Sequence, residues 1–68
     1  MTNVVHEKDW MVGDIVSRDG TDEHEIIAIA EGLVTVRCTK APESGWTDVG
    51  DVEHNLACRY QFVTRPSN

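Results

Sequence analysis

The five glycines of this 68-residue chain fall at Gly13, Gly20, Gly32, Gly45 and Gly50, each beside an Asp, Glu or Ser. Such pairs are turn signals, because Gly reaches positive φ freely and short polar side chains bond the local backbone. The segments they leave are short for a stable helix, which needs about 12–15 residues in isolation. Those segments are also rich in Val, Ile and Thr, the residues of pleated surfaces. Strands joined by tight turns are the expected structure.

Glu31-Gly32 is a hairpin signal between two β-branched runs. After it, Val34, Val36 and Cys38 alternate with Thr35 and Arg37, so the first three point inward. Before it, Ile26-Ile27-Ala28-Ile29 does not alternate, which predicts a bulge near Ile27 or Ala28. Val12 and Val16 share one face of a first strand within residues 10–18, bent at Gly13-Asp14. Residues 46–49 read as a short strand, 52–57 as one helical turn, and 59–63 as a final strand. The expected core is Val16, Ile26, Ile29, Val34, Val36, Leu56 and Val63.

The fold class is therefore all-β: a small five-stranded antiparallel barrel with one short helical turn before the last strand. Closing the sheet leaves few open edges. The competing arrangement is an open, bent meander that completes its core as a homodimer. Residues 1–9 are read as a flexible arm, 10–63 as the single domain and 64–68 as a tail.

Twelve Asp and Glu against six Lys and Arg give a net charge of −6. Phosphate backbones repel such a chain unless its basic residues converge, so duplex DNA is not an expected ligand. No apolar run approaches the roughly 20 residues that span a bilayer, and no export signal is visible, so a cytoplasmic location is expected and no membrane partner. Cys38 and Cys58 do not make a disulfide framework. Cys38 reads as a small core residue, and His54 with Cys58 is the one local pair that a zinc ion would want, without a second pair to complete it. No metal or other cofactor is expected. The turn Asp19-Gly20-Thr21-Asp22 lacks the ligand spacing of a calcium loop and reads as solvated.

Val12-Gly13-Asp14-Ile15-Val16 resembles the Gly-Asp-x-Val opening of many SH3-like small barrels, as does a helical turn before an aromatic last strand. Trp10, Gly45-Trp46, Gly50-Asp51, Asn55-Leu56 and Arg59-Tyr60 further resemble short uncharacterised bacterial and prophage-type proteins. The resemblance implies the barrel fold and no assigned activity, because SH3-like folds serve many functions.

Catalysis needs a nucleophile beside a base and an orienting group, and no Ser or Cys here has that setting in sequence. The expectation is a small acidic interaction or assembly module, not an enzyme, with a basic protein partner. Its binding residues are expected at Trp10, Trp46, Arg59 and Tyr60, where strand-end aromatics and an arginine form one patch. The alternative role for the two Trp residues is to plug the barrel ends. Two other functions stay open: a nucleic-acid-binding barrel, which needs a clustered basic face, and an enzyme whose site forms between subunits.

Overall fold

A computed structural model describes residues 6–66 of the chain. A 3-10 turn at Glu7–Asp9 leads into β1 (Ile15–Ser17), β2 (Glu23–Ala30), β3 (Leu33–Lys40) and β4 (Val52–Leu56). A second 3-10 turn at Ala57–Arg59 precedes β5 (Gln61–Thr64). All ladders are antiparallel, and the strands form one sheet in the order β4-β3-β2-β1-β5. The all-β, five-stranded expectation holds. Closure does not: β4 and β5 stand at opposite ends of the order, so the sheet is open.

The centre of the sheet follows its sequence closely. Gly32, at φ 73°, makes the turn between β2 and β3, a conformation few other residues adopt. The ladder shifts between Ile26 and Ala28, so Ile27 is bulged and the outward set changes phase there. Val34, Val36 and Cys38 are buried from β3, and the two valines cluster with Val16 of β1 and Ile26 of β2. Trp10, Ala57 and Tyr60 complete this core, with Phe62 packed against it.

The ends of the chain depart from expectation. Only three residues of 10–18 pair as strand, and Val12 is exposed, because the turn at Gly13-Asp14 breaks the ladder before β1. Residues 46–49 are a bend, not a strand: Asp51 accepts bonds from the Thr47 hydroxyl and the Asp48 amide and curls the loop. Residues 52–56, expected as a helical turn, are β4 instead, and the turn comes later at Ala57–Arg59. The alternation there is Val52, His54 and Leu56 outward, with the polar Glu53 and Asn55 on the other face, which hides a strand from a hydropathy reading. β5 begins at Gln61, two residues later than expected.

Three expected core residues are exposed. Ile29 lies beside Val34 but at the open end of the sheet, Leu56 points outward opposite Leu33, and Val63 alternates with the inward Phe62. The tail is also shorter than expected: Thr64 belongs to β5, and Arg65 is bound to Asp14. Of the expected arm, residues 1–5 lie outside the described residues, while Glu7–Asp9 form the first 3-10 turn. Residues 67–68 of the expected tail also lie outside them.

Val16, Ile26 and Val36 have no exposed surface, so each lost methyl group is felt. Val36→Ala is expected to lower stability by about 1–3 kcal/mol in urea unfolding, a large share of what a small domain has. A shift below about 0.5 kcal/mol would place the core elsewhere.

Candidate functional site

The Asp19-Gly20-Thr21-Asp22 turn between β1 and β2 sends its two carboxylates in opposite directions. Asp19 stays exposed, whereas Asp22 is buried. The Asp22 carboxylate accepts bonds from the Ser17 hydroxyl at 2.6 Å and from the Arg18 and Asp19 amides at 3.1 Å. His24 Nε2 lies against its second oxygen at 2.5 Å. Gly20 in turn donates its N–H to Ser17 Oγ at 2.8 Å. Burial alone would raise the Asp22 pKa, but the bonds from Ser17, Asp19, His24 and Arg18 outweigh it and hold the carboxyl well below the usual range.

This buried cluster carries an aromatic surface. The His24 ring, on the inward face of β2, lies 5.6 Å from Trp46 and 5.9 Å from Tyr60, edge-on to the latter. On Trp46's other contacts, the Arg18 guanidinium sits 4.8 Å from the indole centroid, and the indole N–H donates to Asp19 Oδ2 at 3.3 Å. Arg18 also reaches Glu53 at 3.7 Å, and the Tyr60 hydroxyl donates to Glu53 at 2.7 Å. Burial, with the Glu53 carboxylate second, pushes the Tyr60 phenol above its ordinary value. The contacts close a ring from Trp46 through Arg18, Glu53, Tyr60 and His24. Trp46 is thus fixed in place yet 40% exposed, on a shallow cleft of about 430 Å³ lined with Arg18 and Asp19.

The four expected binding residues separate. Trp10 and Tyr60 are 7% and 6% exposed and belong to the core, which leaves little of either to touch a partner. Trp46 and Arg59 are exposed, Arg59 on the second 3-10 turn. Arg18, Asp19, Glu53 and the supporting His24 were not among the expected residues. The signal for His24 lay in its period-two spacing from Ile26, which sets it on the inward face. The Asp22 signal was weaker, since an Asx turn of this composition is usually solvated.

A second buried carboxylate, Asp14 before β1, holds the residue that follows β5. Asp14 accepts both Arg65 Nε and Nη2, at 2.8 and 2.9 Å, and the Met11 amide at 2.9 Å. The Arg65 bond, against the opposing effect of burial, lowers the Asp14 pKa.

Ser17 is buried, and its hydroxyl donates to Asp22 and not to His24. Cys38 is buried, which raises its thiol pKa, and Cys58 is exposed; both are free. A groove of about 480 Å³ opens between the β2–β3 hairpin and the first 3-10 turn, lined by Ile29, Val34, Ala57, Glu7 and Lys8. Among the described residues, no three His, Cys, Asp or Glu side chains gather as a metal site. Arg18, Arg37 and Arg65 each meet a carboxylate. No helix among the described residues is long and apolar enough to cross a membrane. Comparison with known proteins finds no matching family model, curated protein or solved structure.

Proposed function

We propose that this chain is a small acidic protein-interaction or assembly module, without catalysis, whose contact surface centres on Trp46 and takes a basic protein partner. The observation that carries the reading is an exposed indole held by Arg18, Asp19 and His24. A large aromatic already fixed in position loses little entropy on binding, and Trp and Arg dominate the energetics of contact surfaces. Asp19, Asp48, Asp51 and Glu53 lie on or near the turns around it, and a net charge of −6 steers cations towards the whole molecule. Arg59 is an exposed polar residue on the second 3-10 turn, before β5.

A strand order with β1 between β2 and β5, and a 3-10 turn before β5, supports likeness to SH3-like small barrels. The prophage-type resemblance of the sequence fits an assembly role of the kind mobile elements encode. Two free thiols suit the reducing cytoplasm.

Adding a short Lys- and Arg-rich peptide to isotope-labelled protein is expected to shift the Trp46 indole N–H and the Arg18 and Asp19 amides first. The shifts should fade as salt rises from about 0.05 M to about 0.5 M. Mixed-sequence duplex DNA should bind no tighter than the weak non-specific range, roughly 10⁻⁴ M. Shifts spread over all acidic residues with Trp46 unmoved would mean general charge attraction, and the proposal would fail.

A further inference from the structure

The outer edge of β4 is a second, independent surface. Two backbone bonds bracket this strand: Cys38 N–H to the Asp51 carbonyl at 2.8 Å, and Ala57 N–H to the Gly32 carbonyl at 3.0 Å. With Cys38 opposite Asp51 and Gly32 opposite Ala57, these bonds fix the phase of the antiparallel ladder, in which hydrogen-bonded and non-bonded pairs alternate. Glu53 and Asn55 turn their backbone groups towards β3, and Val52, His54 and Leu56 turn theirs away. The Leu56 amide confirms the phase, because it is accepted by the side chain of Asn55 at 2.8 Å and not by β3. Among the described residues no strand lies beyond β4. Natural sheet edges are commonly blunted by Pro, Lys or a bulge, and residues 51–58 contain no Pro, Lys or Arg.

We infer that a second copy of this chain adds to this edge, β4 against β4 in antiparallel register about His54. Three observations select that occupant. His54 is the middle of β4, so this register overlaps the whole strand and sets the Val52 N–H against the Leu56 carbonyl, while the Leu56 N–H must exchange its bond to Asn55 Oδ1 for one to the Val52 carbonyl. It also sets the exposed side chains of Val52 and Leu56 beside each other, next to the exposed Leu33, and so joins the apolar outer faces of both copies. It places the acidic Glu53 opposite Asn55. Sliding the pair by one step towards the N-terminus would instead set Glu53 against Glu53, a like-charge pair that opposes association. The result is one continuous sheet through both copies, which shares only Glu53 with the Trp46 surface.

Light scattering of the full chain from about 10 μM to about 1 mM should show a dimer growing with concentration, with Kd on the order of 10⁻⁴ M, as suits a short edge with modest apolar contact. Hydrogen exchange of the unaltered chain should show the Val52 and His54 amides slowing as concentration rises. Higher salt should strengthen the dimer by screening two chains of charge −6, the opposite of its effect at Trp46. Val52→Lys should leave a monomer of unchanged melting temperature, and Val63→Lys on β5 should leave the dimer intact. A single-chain mass at every concentration overturns the inference. So does a dimer in which the Val52 and His54 amides exchange as fast as in dilute solution, since another face then pairs.

Discussion

Asp22→Ala is expected to leave the chain largely unfolded at 37 °C. The side chain is buried and accepts bonds from Ser17, Arg18, Asp19 and His24, so alanine leaves a hydroxyl, two amides and an imidazole without their shared acceptor. Breaking a buried charged hydrogen-bond network by removing one partner costs about 3–5 kcal/mol. A core of this size seldom supplies more than about 3–5 kcal/mol in total. Asp19→Ala, at the exposed end of the same turn, is the control and should cost no more than about 1 kcal/mol. Urea midpoints decide it: a variant lacking Asp22 with a midpoint near that of the parent would show that the cluster is incidental to the fold.

Acid should act on the same groups. Asp14 and Asp22 are both held below the ordinary carboxylate range, so the folded chain binds their protons more weakly than the unfolded one. Their stabilisation is present in full above the unfolded value of roughly 4, and is lost as pH falls below it. Melting temperature should therefore fall steeply only on the acid side of that value. A flat profile down to pH 2 would contradict the assignment of both carboxylates.

The two tryptophans should separate by a wide margin. Trp10→Ala empties a buried site against Val16, Ile26 and Tyr60 and is expected to cost about 3–5 kcal/mol. Trp46→Ala removes an exposed ring that meets Arg18 and His24, and is expected to cost about 1 kcal/mol. Thermal melts of the two variants under one condition read the difference. Equal losses would mean that Trp46 is a plug like Trp10.

The sequence made the central hairpin legible because local and tertiary preferences agree there. Glu31-Gly32 demands a turn, and Val34, Val36 and Cys38 alternate in phase with the buried face. β4 was illegible for the opposite reason. Its inward residues, Glu53 and Asn55, are polar, so hydropathy carries no period, and pairing with β3 alone makes the segment a strand. The site shows the same division. Trp46 was evident from composition at a turn, but its supports lie on three separate segments, Arg18–Asp19, His24 and Glu53, which only the folded sheet brings together. Trp10 stands at a strand end in sequence, yet the 3-10 turn before it directs the ring into the core. Polar burial at Asp14, Asp22 and His24 was hidden because such residues are usually exposed.

Trp46, as proposed, is a preorganised contact residue on a scaffold that does not need it for folding. Tagged parent protein and tagged Trp46→Ala, both shown folded by their melts, can be compared in quantitative capture from the source cell. One or more basic proteins held by the parent should be lost with Trp46→Ala, while an exposed, charge-neutral Val63→Ala control retains them. Captured sets that are the same for parent and Trp46→Ala would contradict that role.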